Sequence, residues 1–284
     1  MSGKDTSSIS FTAHYTGYVW FKQGWSHIRL ATRRGACYYY LLKPIEWLAR
    51  LIVGTDIKTT LLSRHALLDR ELERNLNTGH QQVLEIAAGL SPRGWSRIQK
   101  RPQLRYIEAD LPAMAERKQF LLTELQTPAN RHQVLTCNIL ADEGEDCLAA
   151  VLSRHFDVNQ PITVITEGLV NYFSRSTIES FWTRLAHALQ SFPQSCYLTD
   201  VYPEVHQHRF SRMIAQANRL LGFMTRSQFT LHFASDAEAI ETLTRCGFRQ
   251  VEVFNPDQEN FGTRIPRAHG GSVVRVIRAC QPAR

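Results

Sequence analysis

The sequence has no hydrophobic run long enough to cross a membrane. Its most apolar stretch, residues 38–54, is interrupted by Lys43, Glu46 and Arg50, and charges at that density exclude a membrane span. The first five residues are polar and contain no apolar core of a secretory leader. These absences predict a cytoplasmic protein without a stable membrane span.

The same stretch predicts an amphipathic helix instead. Its charged residues alternate with large apolar ones at a spacing that gives a helix one broad apolar face. The apolar residues are Leu41, Leu42, Ile45, Trp47, Leu48 and Leu51. We expect this face to pack on the protein's own core, and contact with a membrane surface is the alternative.

The sequence also lacks the cysteine spacing of a metal or redox motif. None of its cysteines forms a Cys-x-x-Cys pair, and their separations fit no zinc pattern. Several lie in apolar runs, where a free thiol behaves as a small buried hydrophobic group. We therefore expect free thiols, a reducing compartment and no metal site. The cysteines are Cys37, Cys137, Cys147, Cys196, Cys246 and Cys280.

No basic stripe accompanies the net charge of +7. The 33 Lys and Arg residues are scattered, and the densest local groups are the pairs Arg33-Arg34 and Lys100-Arg101. Without a basic cluster or a nucleic-acid motif, nucleic acid is not an expected partner. The excess of positive charge favours an anionic substrate or an encounter with a membrane surface.

What the sequence does contain is a regular alternation of short apolar runs and helical patterns from about Gln82 onward. Hydrophobic residues make up 43% of the chain, as in globular domains with a sizeable core. The alternation predicts an α/β fold whose sheet is mostly parallel and covered by helices on both faces. Seven runs are predicted as strands, at 83–88, 104–109, 133–137, 161–166, 196–201, 248–254 and 272–279.

Helices are predicted between these strands. One begins near Pro92, and two later ones have Ser176 and Asp236 as their expected N-caps. The helical ranges are 112–126, 147–154, 177–190 and 236–246. The last two strands are close enough in sequence to form a hairpin, which makes one strand antiparallel to the rest.

Two segments without strand pattern predict covers over one edge of the sheet. Residues 1–80 are helical and rich in aromatic residues, and we expect them to form an N-terminal cap. Residues 81–284 form the predicted Rossmann-like domain, interrupted at about 202–234 by a second cover. Aromatic residues in both segments favour a small apolar or aromatic molecule as the substrate held beneath them.

The end of the first strand indicates a nucleoside ligand without a pyrophosphate. Dinucleotide-binding loops have the pattern Gly-x-Gly-x-x-Gly, but here only Gly89 follows the strand. Asp110 and Glu108 end the next strand about twenty residues later, where a carboxylate accepts hydrogen bonds from ribose hydroxyls. The alternative role of Asp110 is to cap the helix that starts near Pro112.

Three stretches together resemble a known family. They are Leu84-Glu-Ile-Ala-Ala-Gly-Leu-Ser-Pro-Arg93, Tyr106-Ile-Glu-Ala-Asp-Leu-Pro112 and Thr166-Glu-Gly-Leu-Val-Asn-Tyr-Phe173. In this order they are similar to the leucine carboxyl methyltransferase-like family of S-adenosylmethionine-dependent methyltransferases. Residues 11–20 also resemble the N-terminus of its bacterial branch, which is associated with polyketide O-methylation. The resemblance implies a class I methyltransferase fold, a mostly parallel seven-stranded sheet with a C-terminal antiparallel strand.

The resemblance also implies S-adenosyl-L-methionine as the cofactor and assigns residues to it. Gly89 lines its methionine portion, and Asp110 holds the ribose hydroxyls, with Glu108 as the alternative. Arg64 pairs with the carboxylate of the cofactor, as its guanidinium fork allows. Glu167 reaches the amino group or the sulfonium side.

Two positions depart from the family pattern. Glu85 in the first strand stands where the family often has Asp, and it stays a candidate cofactor residue. After the third strand the family usually has an acid near the adenine, and this sequence has Asn138 followed by Ile139. Both are candidates for the adenine contact, because an amide oxygen can still accept from the adenine amino group.

The methyl transfer that the resemblance implies is an in-line displacement, in which alignment supplies much of the acceleration. A carboxylate or phenolate acceptor needs no base, but an alcohol or neutral phenol does. The candidate catalytic residues are Tyr172, His14 and Tyr15, and His206 and His208 are further candidates. Their structural alternatives are core packing for Tyr172, a hydrogen bond within the cap for His14 and a solvated loop for the histidine pair.

These features lead to three hypotheses about function. The first is O-methylation of a small apolar or aromatic metabolite at a hydroxyl or carboxyl group. The second is carboxyl methylation of a protein or peptide terminus. The third is a non-catalytic protein that binds S-adenosylmethionine.

Overall fold

The computed structural model describes residues 7–53, 56–203, 230–261, 265 and 271–282. The helices are α1 Ser7–Lys22, α2 Arg33–Val53, α3 Ile57–Asn77, α4 Arg93–Lys100, α5 Pro112–Glu124, α6 Leu148–His155, α7 Arg175–Leu189 and α8 Asp236–Arg245. The strands are β1 Gln82–Ile86, β2 Arg105–Asp110, β3 His132–Thr136, β4 Ile162–Thr166, β5 Ser195–Val201, β6 Gln250–Phe254 and β7 Arg275–Gln281. Three short 3-10 turns lie at Ile28–Leu30, Val170–Tyr172 and Pro256–Gln258.

The strands of the described residues form one sheet in the order β3-β2-β1-β4-β5-β7-β6. Strands β1 to β5 pair in parallel, and β7 is antiparallel to both β5 and β6. Every residue of the central strands β1 and β4 is buried, as expected when helices cover both faces. The predicted α/β fold with its closing antiparallel hairpin is therefore confirmed.

The ends of the observed elements agree with the predicted ones to within three residues, and two helix caps differ from the predicted residues. Ser174 caps α7 because its hydroxyl accepts from the backbone N–H of Thr177 at 3.2 Å, so the prediction of Ser176 was wrong. Ser235 caps α8 in the same way, and Asp236 is the first residue of that helix. In both cases the hydroxyl lies three residues before its partner, as capping geometry requires.

Two hydrophobic layers enclose the sheet. The larger one joins α6, α7 and α8 to the strands, and the fully buried Trp182, Phe181 and Tyr197 lie within it. The smaller one joins α3 and α4 to the other face through residues such as Leu68 and Ile98. Burial on both faces makes the sheet a fixed base for the side chains at its edge.

The N-terminal helices form a third cluster. Tyr15, Val19 and Trp20 of α1 pack with Leu42 of α2 and Leu62 of α3. The division of the chain into a cap of residues 1–80 and a domain of residues 81–284 stays a prediction. Most of the second predicted cover, residues 204–229, lies outside the described residues.

Helix α2 buries only part of its apolar surface. Tyr39 and Leu42 face the protein, whereas Leu41, Ile45 and Trp47 are exposed by 55% or more. The expectation that the broad apolar face packs on the protein's own core was therefore wrong for these three residues. Within the described part of the chain, no helix is long and apolar enough to cross a membrane.

Two of the cysteines that we expected to be free are joined. Cys196 of β5 and Cys280 of β7 lie directly opposite each other in the antiparallel pairing and form a disulfide. Their sequence separation of 84 residues gave no sign of this, because the register between the two strands brings them together. The other four cysteines have free thiols.

Candidate functional site

The carboxyl ends of the four central parallel strands bring polar residues to one edge of the sheet. In the strand register, Ile86 is level with Ala109 and with Thr166, and Thr166 is level with Thr199. The residues that follow these positions therefore share one edge, which is where ligands bind in open α/β sheets. Two groups form there, one around Asp110 and the other around Glu167.

The loop after β1 adopts a left-handed conformation at two positions. Gly89 has a φ of 49° and Ala87 a φ of 55°. The backbone N–H of Gly89 donates to Oδ2 of Asp110 at 2.8 Å, which fixes the loop to the end of β2. Helix α1 lies over the loop, because a Cβ on Gly89 would be 3.3 Å from Cβ of Ala13. Gly89 thus allows both the turn and the close approach of α1.

Asp110 has one backbone donor on each carboxylate oxygen. Gly89 donates to Oδ2, and the N–H of Leu111 donates to Oδ1 at 2.8 Å. Burial raises the pKa of Asp110, and these two hydrogen bonds and Lys118 oppose the rise. The alternative of a helix cap was wrong, since α5 has Leu111 at its N-cap and no side-chain cap bond. Each oxygen still has a lone pair for a second donor.

Glu108 is fully buried and has a polar partner on each carboxylate oxygen. One oxygen is 2.9 Å from Nε2 of His132, and the other contacts Nζ of Lys118. Helix α4 lies directly above this group, since a Cβ on Gly94 would be 2.3 Å from Oε1 of Glu108. Glu108 is therefore enclosed by the protein, and Asp110 is the carboxylate of β2 that lies at the edge.

Glu167 follows β4 and is held by three positively polarised groups. Its Oε1 accepts from Nε of Arg64 at 3.1 Å, and its Oε2 lies 2.8 Å from Nδ1 of His65 and 2.6 Å from Nη2 of Arg93. Burial opposes ionisation, yet His65, Arg64 and Arg93 hold the pKa of Glu167 well below its usual range. Glu167 is therefore a carboxylate at neutral pH.

Arg64 connects Glu167 with the end of β5. Its Nη1 donates to Oδ2 of Asp200 at 3.1 Å and to the hydroxyl of Tyr202 at 3.2 Å. Burial opposes the charge, but Asp200, Tyr202 and Glu167 raise the pKa of Arg64 above its ordinary value. Asp200 also accepts from the N–H of Gly168 at 2.6 Å, so it fixes the turn after β4.

Arg93, at the start of α4, is fully buried among carboxylates. It donates to Asp69 at 2.6 Å, to Glu167 and to Glu85. Glu85 also accepts from the hydroxyl of Tyr106 at 2.6 Å. Burial opposes the charge of Arg93, and the three carboxylates raise its pKa well above the ordinary value. The structure thus places Glu85 inside an ion network with both oxygens bonded.

Sequence reasoning did not assign His65, Arg93 or Asp200 to the site. A signal existed for Asp200, because it lies at the carboxyl end of β5 as Asp110 does at the end of β2. His65 adjoins Arg64 on the same helix, and Arg93 ends the first family stretch. Their convergence on Glu167 depends on how α3 and α4 pack against the sheet.

The segment after β3 forms a turn. Oδ1 of Asn138 accepts from the N–H of Leu140 at 3.0 Å, and the N–H of Asn138 donates to the carbonyl of Asp146 at 2.9 Å. Ile139 is buried, and its carbonyl accepts from Arg184 at 2.7 Å. The amide oxygen of Asn138 thus has a partner in the chain, and the adenine contact of these two residues stays a prediction.

The three candidate bases lie in different surroundings. His14 is buried beside Oγ1 of Thr32 at 3.0 Å, and burial together with Arg117 and Arg34 lowers the pKa of His14 to about 4. Tyr15 is buried in the cap and donates to Glu46, and burial raises its pKa above the ordinary value. Neither hydrogen bond reaches the edge of the sheet.

Tyr172 lies near the second polar group. Its phenol is hydrogen-bonded to Thr12 of α1, and Arg64 and Asp200 are close enough to shift its pKa, which burial raises overall. A raised pKa keeps the phenol protonated at neutral pH. Tyr172 therefore forms its hydrogen bond as a neutral phenol. His206 and His208 lie outside the described residues. Among the residues that the structure describes, no group of three potential metal ligands is found.

A cavity of about 460 Å³ opens between α3 and α4. It is lined by Trp25 and Trp95 and reaches His65 and Arg93 from the side of the helices. The Glu167 group therefore lies between this cavity and the edge of the sheet.

Residues 49–186 match the family described as Leucine carboxyl methyltransferase. The match begins within α2 and ends within α7, so it includes Arg64, Asp110 and Glu167. It confirms, over this segment, the resemblance seen in the sequence.

Three known proteins illustrate what the chain is similar to. A curated protein of Mycobacterium ulcerans, described as a candidate S-adenosyl-L-methionine-dependent methyltransferase, is 25% identical over 183 residues, which are 62% of this chain and 57% of that protein. A solved DUF574 family protein from Streptomyces avermitilis has a TM-score of 0.65 at 13% identity, covering 95% of this chain and 97% of that one. A candidate methyltransferase from Thermobifida fusca has a TM-score of 0.63 at 14% identity, covering 95% and 94%.

These similarities support the fold and the family to different extents. The two structures share the fold over nearly the whole chain, and at this identity they carry no more than the fold. The chain spans little more than half the length of the curated relative, 57%. The seven-stranded sheet is that of the class I methyltransferases, as the resemblance implied.

Proposed function

We propose, from the match of residues 49–186 to the leucine carboxyl methyltransferase family, that the chain binds S-adenosyl-L-methionine and is a methyltransferase. The cofactor would lie along the edge formed by the ends of β1, β2, β4 and β5. When bound, it supplies a methyl group on a sulfonium, which is an excellent leaving group. The residues of the chain hold and orient the two reactants.

The carboxylate of Asp110 beside the Gly89 loop is the observation that carries this proposal. Its two oxygens each have a backbone donor and a lone pair to spare, at the edge where a ribose would lie. The loop has one glycine instead of three, which suits a nucleoside without a pyrophosphate. Asp110 would accept from the ribose hydroxyls, and Gly89 would lie against the methionine portion.

The Glu167 group would hold the other end of the cofactor. The hydrogen bonds of Arg64 use its Nε and Nη1, so a contact with the cofactor carboxylate would involve Nη2. Glu167 is ionised and suits the cofactor's amino group, which is a cation. Glu85 is enclosed by Arg93 and Tyr106, so it would support the loop without touching the cofactor.

A small apolar or aromatic metabolite, methylated on a hydroxyl or carboxyl oxygen, is the acceptor that we propose. Aromatic residues of α1 support this, because the helix that carries Phe11, Tyr15 and Tyr18 lies over the Gly89 loop at the sheet edge. A carboxylate acceptor needs no base, which suits a site where the pKa of Tyr172 is raised. Methylation of a protein or peptide terminus is the second candidate, favoured by the description of the matching family.

Titration calorimetry of the full chain with S-adenosylmethionine tests the proposal. We expect binding with one site per chain, and no binding would overturn it. Incubation with methyl-labelled cofactor and a panel of phenols, carboxylic acids and peptides then tests transfer. Label on a small molecule supports the proposed acceptor class, and label on peptides alone supports the second candidate. Binding without any transfer supports a non-catalytic protein.

The cytoplasmic location stays a prediction from the sequence. The Cys196–Cys280 disulfide does not favour it, since disulfides are rare in reducing compartments. Mass spectrometry of the protein alkylated directly from cells tests it. Modification of all six cysteines would support a reducing compartment.

A further inference from the structure

Helix α2 turns a continuous apolar strip away from the protein. Leu41 and Trp47 are 67% and 66% exposed, and Tyr40 and Ile45 are 54% and 55% exposed. At the helical period of 3.6 residues these four lie on the side opposite to the buried Tyr39 and its neighbours. Scattered exposed apolar residues are normal, but several on one helix face form a patch that marks an interaction surface.

The exposed charges of α2 are all basic among the side chains that the structure describes. Its sequence has four basic residues, Arg33, Arg34, Lys43 and Arg50, and one acidic residue, Glu46. Glu46 is buried and accepts a hydrogen bond from Tyr15, whereas Arg33, Arg34 and Lys43 are exposed. The outward face of α2 therefore presents apolar groups and cations, and the helix contributes no carboxylate to it.

We propose that this face of α2 docks on the surface of an anionic lipid bilayer, with the helix lying in the plane of the interface. A helix with one apolar face and basic residues beside it binds a bilayer by burying the apolar side chains among the acyl chains. Tyr40 and Trp47 are of the types that prefer the interface, and Lys43 lies 6.0 Å from the centre of the Tyr40 ring. The cations then face lipid phosphates.

Charge complementarity favours a bilayer over a second copy of the chain. A two-fold dimer through α2 would bring the same patch of both copies together. The exposed cations Arg33, Arg34 and Lys43 of both copies would then share one interface, without a carboxylate of α2 to pair with. An anionic surface supplies the missing negative charge.

The inference does not depend on the proposed function. It has a consequence for the site nonetheless, because α1 lies between α2 and the Gly89 loop. Gly35 of α2 packs on the backbone of His14, and Ala13 lies against Gly89. Docking through α2 would keep the cap and the covered edge of the sheet close to the membrane.

Cosedimentation of the full chain with vesicles tests this inference. One set of vesicles contains phosphatidylcholine alone, and the other also contains phosphatidylglycerol. We expect binding to the anionic vesicles that weakens with salt, and much weaker binding to the neutral ones. Absence of binding to the anionic vesicles would overturn the inference.

Variants separate the patch from a general attraction of a basic protein to anionic lipid. Leu41→Glu with Ile45→Glu should reduce binding about tenfold or more, because it removes apolar burial and adds repulsion. Val158→Glu with Ile240→Glu is the control that adds the same two charges, since Val158 before β4 and Ile240 on α8 are 43% and 37% exposed and lie outside α2. It should retain more of the binding, and an equal loss in both would contradict the inference.

Light scattering of the same proteins tests the alternative that a second copy of the chain binds this face of α2. We expect the wild-type chain and the Leu41→Glu/Ile45→Glu variant to have the same mass in solution. A wild-type dimer that this variant dissociates, without lipid binding by either, would assign the patch to a second copy and overturn the inference. All these positions are exposed, so circular dichroism should show the same helical content in each variant.

Discussion

The two polar groups at the edge of the sheet are built differently. Around Asp110 the partners are backbone N–H groups, and both carboxylate oxygens keep capacity for another donor. Around Glu167 the partners are side chains, and Arg64, Arg93 and His65 occupy both of its oxygens. The first group can accept hydroxyl groups on both oxygens, whereas in the second Oε2 has two partners and Oε1 one, so a ligand has to join an existing ion network.

The contrast separates two uses of buried charge. A carboxylate held by backbone donors costs the fold little when its ligand leaves, because the donors belong to the loop and strand already in place. A carboxylate held by buried guanidinium groups depends on each partner, since removing one leaves an uncompensated charge. We therefore expect changes in the Glu167 group to affect stability and changes in the Asp110 group to affect binding.

Arg93→Leu should have the largest effect. It removes the cation shared by Glu85 and Glu167, and breaking such a buried group costs about 3–5 kcal/mol of unfolding free energy. Arg97→Leu is the control on the same helix, because Arg97 pairs with the partly exposed Asp69 and Glu73 and should cost about 1 kcal/mol or less. Urea denaturation at neutral pH measures both. Equal losses would refute the distinction between fully buried and partly exposed pairs.

Asp110→Asn should weaken the binding of S-adenosylmethionine about 10- to 100-fold, because a charged acceptor of the ribose hydroxyls is lost. Its effect on unfolding should be smaller than that of Arg93→Leu. Titration calorimetry measures the affinity, with Glu116→Gln, an exposed change on α5, as the control. Unchanged affinity in Asp110→Asn would remove Asp110 from the proposed cofactor site.

Gly89→Ala should cost about 1 kcal/mol of stability, because alanine is strained at positive φ and its Cβ would crowd Ala13. The same loop offers a reciprocal test in Ala87→Gly. Relief of strain at Ala87 is offset by the greater freedom of glycine in the unfolded chain, so the net change should be within about 0.5 kcal/mol. Thermal unfolding of both variants compares them. A larger loss in Ala87→Gly than in Gly89→Ala would contradict this account of the loop.

His14→Gln should have the smallest effect at neutral pH, because the contribution of His14 to the pH dependence of stability appears only in acid. The folded pKa of His14 is about 4 and its unfolded pKa about 6.5, so below about pH 6.5 the unfolded chain binds a proton that the folded chain does not. The free energy of unfolding of the wild type should therefore fall by about 1 kcal/mol between about pH 7.5 and about pH 5.5 because of this residue.

The glutamine variant should lack that part of the loss. Urea titrations at the two pH values give the difference between the proteins. Other buried histidines contribute equally to both, so they cancel. Identical pH dependence in the two proteins would show that His14 is not held neutral by the fold.

Much of the sheet followed from local pattern. Buried parallel strands are continuous apolar runs, and their periodicity identified all seven strands within a few residues. The placement of Gly89 and Asp110 at one edge followed from the same argument, because carboxyl ends of parallel strands coincide. The N-caps Ser174 and Ser235 were not predicted. Which residue caps a helix depends on where the first helical turn begins, and the local pattern leaves this open by one or two residues.

The partners of the predicted residues could not be obtained in this way. Glu85 and Glu108 looked like residues of an open site, and helix α4 encloses both through Arg93 and Gly94. Asn138 stays a candidate for the adenine contact, and the bond of its side chain with Leu140, which closes a turn, was not foreseen. The direction of a side chain at a strand end depends on the helix packed above it, which local sequence does not specify.

By itself, the sequence determined the order of strands and helices, the positions of the acids at the strand ends and the family resemblance. Only the tertiary structure decided which acids are enclosed, that Cys196 and Cys280 pair, and that α2 turns Leu41 and Trp47 outward. The physical reason is the range of the forces involved. Periodicity and backbone preferences act within a few residues, whereas burial, ion pairing and exposure depend on groups that the fold brings together from distant parts of the chain.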